Sequence, residues 1–258
     1  MGSQGLGGMI QTRQSCEFVI YIESDIKERV DEMKLYNQDC LPAMKEMPDN
    51  AFSLAIVDPP YTDGFTISAN AKCAEVKKHY NLNSLNNKAP DKNYFDELKR
   101  ISRNQIIWGV NYFQYYLGAG RVVWDKDNTG VYSDCELAYQ SFSKVTRKFT
   151  FRWNGMLQGN MKHKEIRIHP TQKPVALYKW LLTKYAKPGQ TILDTHGGSM
   201  SIAIACYDLG YDLTVYEIDK EYFEAATERI ERHKAQGQLF QAVEVMTVEN
   251  MEKGRVGN

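Results

Sequence analysis

The chain has 258 residues, and its 32 Lys and Arg residues balance 32 Asp and Glu residues, so its formal net charge is zero. This length allows one α/β domain with a full core, or one domain with an insertion. The net charge gives no sign of a nucleic-acid partner; only the distribution of the charges can. Five scattered cysteines without a CxxC pair argue against a structural zinc site, and no metal is expected. Because no apolar run approaches a membrane span and no signal-peptide pattern occurs, we expect a soluble, cytoplasmic protein.

The start of the chain supplies one strand and one helix. Residues 1–9 are glycine-rich and polar, which predicts a tag remnant or a disordered end, so the folded domain is expected to begin at residue 10. Lys34 to Leu41 predicts a strand, a turn at Gln38-Asp39 and then a helix that reaches about Glu46. Asp39 is suited to cap the amino terminus of that helix.

The tetrapeptide Asp58-Pro59-Pro60-Tyr61 has the clearest chemical content. It follows the apolar run Phe52 to Val57, a predicted buried strand, and open α/β sheets bind ligands at the carboxyl ends of their strands. The Asp58 carboxylate and the Pro59 carbonyl can together accept both N–H groups of an exocyclic amine on a nucleobase, which directs the nitrogen lone pair toward a methyl donor. The prolines fix the backbone, and Tyr61 offers an aromatic face for stacking. The alternative is a strand end followed by a proline turn.

Strands and helices alternate through the middle of the chain. Asp91 begins a helical run, and Gln105 to Trp108 predicts a strand. Gly109 to Phe113 predicts a turn into another helix. Arg121 to Asp125 and Cys135 to Phe142 predict an antiparallel pair that closes the sheet. This alternation is typical of parallel βαβ units.

Two segments are candidates for contact with a macromolecule. Residues 62–92 are loop-like and either close over a substrate or form a surface loop. Between Phe142 and Lys173, eight cations stand against one anion, Glu165, with aromatic residues interleaved, which favours a face that follows a phosphate backbone over an ordinary solvated hairpin. The cations predicted to contact that phosphate backbone are Lys144, Arg147, Lys148, Arg152, Lys162, Lys164 and Arg167.

Two further motifs follow. His169-Pro170-Thr171-Gln172-Lys173-Pro174 introduces an amphipathic helix predicted from Val175 to Lys187. A strand from Thr191 to Asp194 then leads into a turn with the pair Gly197-Gly198, followed by an apolar helix that ends at Leu209. Such a turn lets a ligand approach the backbone closely and use the helix amino terminus.

The last part of the chain supplies another acid at a strand end. The predicted strand from Leu213 to Glu217 ends in a carboxylate suited to accept the hydroxyls of a ribose. Asp219 is suited to cap a helix from Glu221 to Lys234. Residues 238–258 predict one more strand and a frayed tail.

In their identity and order, these motifs resemble those of the DNA amino-methyltransferases that modify adenine N6 or cytosine N4, in the permuted β class. In that class the catalytic half precedes the cofactor half, and the resemblance covers residues 34–222. It implies a Rossmann-like α/β fold that depends on S-adenosylmethionine, with a mostly parallel sheet and a terminal antiparallel hairpin. It also implies a single catalytic domain over residues 10–258, with DNA-contacting insertions around 62–92 and 143–168.

The resemblance assigns roles to the motif residues. It implies that Asp58, Pro59, Pro60 and Tyr61 are catalytic. It places Asp39 and the Cys40 amide at the cofactor adenine, Glu217 at the ribose, and Thr171 and Lys173 at the methionine carboxylate. A cap role for Asp39 is compatible with this assignment. The full implied cofactor-binding set is Asp39, Cys40, Asp58, His169, Thr171, Gln172, Lys173, Asp194, His196, Gly197, Gly198, Ser199 and Glu217.

The chain departs from the family pattern at the glycine turn. Thr195 and His196 stand where Pro-Phe is usual, and Met200 replaces the last glycine of a Gly-Ser-Gly run. These replacements could change the affinity for the cofactor and remove the aromatic contact that Phe makes in the family. They leave a catalytically weak DNA-binding module with the same fold as an alternative.

The first residue of the catalytic tetrapeptide indicates the substrate. In the resembling family Asp is usual for adenine and Ser for the N4 amine of cytosine, so adenine N6 in DNA, reached by base flipping, is expected and N4-cytosine is the alternative. Methylation of cytosine carbon 5 needs a thiolate in a Pro-Cys pair, and no cysteine here follows a proline. RNA or protein-glutamine methyltransferases would share the fold, although the protein-amide enzymes resemble Asn-Pro-Pro-Tyr. DNA is the expected partner, without a membrane; the sequence leaves open a homodimer, a restriction endonuclease partner and the recognition sequence.

Overall fold

The computed structural model describes residues 33–60, 89–128, 133–154 and 156–253, with side chains described as far as residue 237. The predictions for Tyr61, for most of residues 62–92 and for the first 32 residues lie outside these ranges. The described elements are β1 (Lys34–Tyr36), α1 (Cys40–Glu46), β2 (Phe52–Val57), α2 (Lys92–Ile101), β3 (Ser102–Trp108), β4 (Arg121–Asp125), β5 (Cys135–Gln140), β6 (Thr146–Thr150), β7 (Trp153–Asn154), β8 (Leu157–Gln158), α3 (Val175–Tyr185), β9 (Thr191–Asp194), α4 (Ser201–Leu209), β10 (Asp212–Tyr216) and α5 (Lys220–Lys253).

An eight-stranded sheet organises the fold, in the order β1-β10-β9-β2-β3-β5-β4-β6. All neighbours pair in parallel except β5, which is antiparallel to both β3 and β4. The predicted α/β fold with a mostly parallel sheet and an antiparallel hairpin is confirmed. One more strand, β6, extends the sheet beyond that hairpin.

The order of the strands reverses between β2 and β9, which are neighbours although they are far apart in the chain. Leu54 pairs with Ile192 and Ala55 with Leu193, so these two strands end side by side. Ligands of open α/β sheets bind in the crevice at such a reversal. The fold therefore places the acids that follow β2 and β9 at one point of the carboxyl edge.

Helices cover both faces of the sheet, so its central strands are buried on both sides and read as continuous apolar runs. One face packs α3 and α4 against the sheet through fully buried side chains such as Leu181 and Ile202. The other face packs α1 and α2 through Met44 and Phe95. The amino terminus of α2 is capped by Asp91, which accepts a hydrogen bond from the Tyr94 N–H (3.2 Å).

The helix predicted after Gly109 to Phe113 is wrong, since residues 109–120 form turns and irregular chain. Gly109 and Gly118 adopt positive φ angles of 76° and 123°, which interrupt a helix. Tertiary packing fixes this segment instead: the Tyr115 ring stacks on Phe95 with ring centroids 5.0 Å apart.

The strand predicted after residue 238 is also wrong, because α5 continues to Lys253. The segment contains no proline and includes three Glu and two Met residues, which favour helix, so the packed first half of α5 propagates into it. Among the described helices, α5 included, none combines the length and the apolar character needed to cross a membrane.

Candidate active site

Four acidic side chains follow four neighbouring parallel strands at the carboxyl edge of the sheet. Asp39 comes after β1, Glu217 after β10 and Asp58 after β2, while Asp194 is the last residue of β9. The sequence predicted each of the four at or just past the end of a strand, and Asp58 after the apolar run from Phe52 to Val57. The sheet order brings them to one edge.

Asp58 lies at the centre of this edge with its two oxygens in different environments. Oδ2 accepts a hydrogen bond from the Lys173 ammonium, whereas Oδ1 is buried and has no hydrogen-bond partner among the described residues. Burial raises the pKa of Asp58 above its ordinary value, and the charge of Lys173 opposes that rise. Buried polar atoms are nearly always paired, so this oxygen, unpaired among the described residues, is a candidate contact for a ligand.

Lys173 is buried and ion-paired on two sides. Its ammonium contacts Asp58 and lies 2.9 Å from Glu136 Oε2, and Glu136 Oε1 lies 2.5 Å from the Lys126 ammonium. Burial alone would raise the pKa of Glu136, but Lys173 and Lys126 hold it below its ordinary value. We call Asp58, Lys173, Glu136 and Lys126 the Asp58 cluster. The structure thus places Lys173 of the loop at residues 169–174 against Asp58.

The glycine turn between β9 and α4 is compact. The Gly197 N–H donates to the Tyr216 carbonyl (2.8 Å), and a Cβ on Gly197 would lie 2.6 Å from Val215 Cγ1, which leaves no room for a side chain. Gly198 has φ +51°, and its N–H donates to Glu217 Oε2 (2.6 Å). Met200 adopts φ 50° at the start of α4, so this departure from the family pattern keeps a left-handed conformation that glycine adopts without strain.

The two acids beside this turn are desolvated. Burial raises the pKa of Asp194 to about 8, although its Oδ1 accepts the His196 N–H (3.0 Å). Burial also raises the pKa of Glu217, whose Oε1 accepts the Asp219 N–H (2.8 Å). Glu217 therefore holds both the glycine turn and the start of α5 in place.

Thr195 and His196 are the second departure from the family pattern. They form a chain of hydrogen bonds with Tyr94 of α2. The Tyr94 and Thr195 hydroxyls lie 2.6 Å apart, and Thr195 Oγ1 lies 2.9 Å from His196 Nδ1. Burial lowers the pKa of His196 to about 4, so its imidazole is neutral at pH 7. An aromatic ring thus occupies the usual Phe position, in contact edge-on with Tyr94 at 5.4 Å. No pattern in the sequence pointed to Tyr94.

The loop at residues 169–174 lies against the glycine turn. A Cβ on Gly198 would lie 3.6 Å from His169 Nδ1, and the His169 ring packs edge-on against Tyr222 at 4.3 Å. Burial lowers the pKa of His169 to about 4, and its Nδ1 lies 3.1 Å from Thr171 Oγ1. Gln172 helps to hold the loop in place, because its backbone carbonyl accepts a hydrogen bond from the Trp153 indole N–H (2.8 Å).

Asp39 and Cys40 begin α1 at the edge of the site. Asp39 caps the helix by accepting the Leu41 N–H at Oδ1 (3.0 Å), so the cap prediction is confirmed, and the side chain remains exposed. Burial raises the pKa of Cys40 to about 12, which keeps its thiol protonated and unsuited to act as a nucleophile.

The positively charged segment is divided between an outer and an inner face. Its single anion, Glu165, points inward, where it accepts hydrogen bonds from the Val175 N–H (2.9 Å) and the Arg229 guanidinium (2.8 Å). Arg167 is half-buried with its guanidinium 4.4 Å from the centroid of the Trp153 ring. The outer face carries exposed cations, which are Lys144, Arg147, Lys148, Arg152, Lys162 and Lys164.

Two of these exposed cations are paired within the protein. Lys148 lies 3.1 Å from Asp125, and Arg152 lies 2.5 Å from Asp127. Within the described ranges, Lys144, Arg147, Lys162 and Lys164 form no ion pair with an acid. These four are therefore the cations most available to an external phosphate.

The N6/N4 DNA methylase family model matches residues 75–228. The chain belongs to this family. It is thus a DNA methyltransferase of the type that modifies adenine N6 or cytosine N4. The match covers the Asp58 cluster except Asp58 itself, together with the glycine turn and Glu217.

Relatives and solved structures extend the comparison. The Type II methyltransferase M.HpaI of Haemophilus parainfluenzae is 24% identical, over 78% of this chain and 74% of the relative. The Type II methyltransferase M2.MboI of Moraxella bovis is 25% identical, over 81% and 90%. The crystal structure of the M1.HpyAVI-SAM complex superposes with a TM-score of 0.50 at 20% identity, over 76% of this chain and 99% of that chain. The cytosine-N4-specific PvuII DNA methyltransferase also gives 0.50, at 11% identity over 78% and 91%. At these identities the two structures support the fold.

Proposed function

We propose that this chain transfers a methyl group from S-adenosylmethionine to the N6 amine of an adenine flipped out of DNA. The observation that carries the proposal is the buried Asp58 Oδ1, an acceptor without a partner among the described residues, at the strand-order reversal beside the glycine turn. Asp at this position, rather than the Ser usual for cytosine, favours adenine.

The residues around the glycine turn suit S-adenosylmethionine. Glu217 offers a carboxylate after β10, where ribose hydroxyls are accepted, and Gly197 has no space for a side chain where the backbone must approach a ligand. Asp39, at the start of α1, offers a carboxylate that is exposed beyond its cap contact. Asp194 is a buried carboxyl that a cationic ligand would help to ionise. We assign cofactor binding to this group of residues.

Asp58 and Pro59 act on the target amine. The Asp58 Oδ1 accepts one N–H and the Pro59 carbonyl the other, which draws the nitrogen lone pair out of the ring and aligns it for direct transfer. The chemistry supplied by the bound cofactor is methyl donation, in which the sulfur keeps the electron pair of the broken bond. The amine loses one proton as the nitrogen–carbon bond forms, and Asp58 is placed to accept it. Tyr61 is proposed to stack on the flipped base.

The outer face of the segment at residues 143–168 is proposed to contact the DNA backbone. Its available cations, Lys144, Arg147, Lys162 and Lys164, give the local positive charge that phosphates need, although the whole chain is neutral. Exposed apolar side chains lie in the same segment, with Met156 exposed by 82% and Ile166 by 67%, and such side chains suit contacts with bases or sugars.

The proposal is tested by identifying the methylated base. Unmethylated DNA is incubated with the protein and tritium-labelled S-adenosylmethionine, then digested to nucleosides that are separated by chromatography. We expect the tritium label in N6-methyl-2′-deoxyadenosine. Label in N4-methylcytosine would overturn the choice of base while leaving the family assignment intact.

Asp58→Asn serves as the control in the same assay, because it keeps the volume of the side chain and removes its charge. If the wild-type chain transferred no label and gave no heat when titrated with S-adenosylmethionine, these two results would favour the alternative of a catalytically weak DNA-binding module.

A further inference from the structure

The Asp58 cluster contains two residues to which the motifs assign no role, Glu136 and Lys126. Glu136 stands at the start of β5, the antiparallel strand, so its side chain lies at the same edge of the sheet as the carboxyl ends of the parallel strands. Lys126 follows the end of β4. Cross-strand pairing of Trp124 with Glu136 brings the two together.

The charges of this cluster balance around the buried Lys173, while the other three side chains are partly exposed. Lys173 has a side chain only 1% exposed and is shared by two carboxylates, while Glu136 is shared by two ammonium groups. This sharing of Lys173 between two carboxylates matters for Asp58. An ammonium paired with Asp58 alone would neutralise its charge and weaken it as a hydrogen-bond acceptor. Glu136 draws part of the Lys173 charge away from Asp58.

We propose that Glu136 is a positioning residue of the methyl transfer: together with Lys126 it fixes Lys173 so that Asp58 Oδ2 is held while Oδ1 keeps its acceptor strength for the substrate amine. This inference rests on the proposed function. It assigns Glu136 a role through Lys173, without contact to substrate or cofactor. Removing Glu136 concentrates the Lys173 charge on Asp58, and removing Lys126 shifts Lys173 toward Glu136.

The two removals change the electrostatic environment of Asp58 in opposite directions. Glu136→Gln removes a negative charge near Asp58, which makes the Asp58 carboxylate easier to form and lowers its pKa. Lys126→Gln removes a positive charge and raises that pKa. The titratable groups that face Asp58 are Lys173 before α3, Glu136 on β5, Lys126 after β4, Asp194 at the end of β9, Tyr94 on α2 and Tyr178 on α3.

The test measures Asp58 directly in the full chain without cofactor or DNA. Aspartate labelled with ¹³C at the carboxyl carbon is followed by NMR during a pH titration, and the Asp58 signal is assigned by its loss in Asp58→Asn. We expect the midpoint to move to lower pH in Glu136→Gln, to higher pH in Lys126→Gln, and back toward the wild-type value in the double variant. Midpoints that move together, or not at all, would overturn the proposal.

Methyl transfer provides the second measurement. In Glu136→Gln, kcat at pH 7 is expected to fall roughly tenfold or more while KM for S-adenosylmethionine changes little, since the group that positions the reacting acid is removed. The double variant, which keeps the cluster neutral, should recover part of that activity. If Glu136 only supported the fold, its removal would lower kcat and also raise KM for S-adenosylmethionine, and the double variant would be worse than either single change.

The two readouts separate failure of this inference from failure of the proposed function. If the wild-type chain methylates cytosine or transfers no methyl group, the proposed function fails, yet the NMR midpoints still decide whether Glu136 controls Asp58. If Glu136→Gln does not fold, Lys126→Gln must still raise the Asp58 midpoint, and the double variant must still bring it back toward the wild-type value.

Discussion

Arg229 and Glu165 form a largely buried ion pair between α5 and the positively charged segment, with the guanidinium nitrogen 2.8 Å from the carboxylate oxygen. The same guanidinium donates to the Ser199 carbonyl (2.8 Å) of the glycine turn and to Ser201 Oγ (3.0 Å) at the start of α4. Glu165 in turn accepts the first N–H of α3, from Val175. One side chain therefore couples the segment assigned to DNA with the turn assigned to the cofactor.

Arg229→Met is expected to destabilise the chain by about 3 kcal/mol, because it leaves the buried Glu165 carboxylate without its cation. It should also weaken binding of S-adenosylmethionine, since the glycine turn loses two hydrogen bonds. Denaturant unfolding and calorimetry measure the two effects. Arg232→Met is the matched control on the same helix, because its exposed pair with Glu228 contributes at most about 1 kcal/mol. Equal effects in the two variants would contradict the coupling.

Asp58→Asn is expected to lower the turnover number by at least about a hundredfold, because the substrate amine loses a charged acceptor. Affinity for S-adenosylmethionine, measured by calorimetry, should change little, since Glu217 and the glycine turn remain. Asp49→Asn removes an exposed acid that pairs with Arg100, away from the carboxyl edge, and should retain wild-type turnover. Retained turnover in Asp58→Asn would remove Asp58 from the mechanism.

Local patterns were sufficient to predict most of the fold and the edge at which the site lies. The apolar run that ends at Val57 predicted both β2 and the position of Asp58, and the same reasoning predicted Glu217 after β10. Hydrophobic period and capping residues are local properties, so they can be read from the chain directly. Asp39 and Asp91 were predicted to begin helices, and both are observed as caps.

Contacts between distant residues could not be predicted in this way. Lys173 was assigned to the cofactor carboxylate, but its partners Asp58 and Glu136 are set by which strands are neighbours in the sheet and by where side chains point. Glu165 was counted against the charge of the outer face, whereas it points inward. A Glu that begins an apolar strand was the one available signal for Glu136, because charged residues are rarely buried unless they are paired.

The outer cations are expected to set the salt dependence of DNA binding. Lys162→Ala with Lys164→Ala should weaken binding to many sequences alike and reduce the slope of log K against log salt by about 0.9 for each phosphate that the protein no longer neutralises. Lys45→Ala with Arg103→Ala removes the same charge from exposed positions near the amino ends of β2 and β3, the opposite edge of the sheet. Fluorescence anisotropy over a salt series compares the two double variants. The same slope in both would argue against a DNA face at residues 143–168.

His196 is expected to make stability depend on pH in the acid range. Burial lowers its pKa in the folded chain to about 4 from an ordinary 6.5, so between these values the unfolded chain binds more protons than the folded one. The neutral His196 side chain therefore leaves the free energy of unfolding at its full value above pH 6.5. That free energy falls as the pH falls toward 4. His196→Phe, which restores the usual aromatic residue of the family, removes this titration. The free energy of unfolding of the wild type should thus fall by about 1 to 2 kcal/mol more than that of the variant between pH 7 and pH 5. Denaturant unfolding at the two pH values measures the difference. His169 and Asp194 titrate in both proteins, so the difference between them reports His196 alone. If the free energy of unfolding decreased equally in the wild type and the variant, the His196 imidazole would not be held neutral by burial.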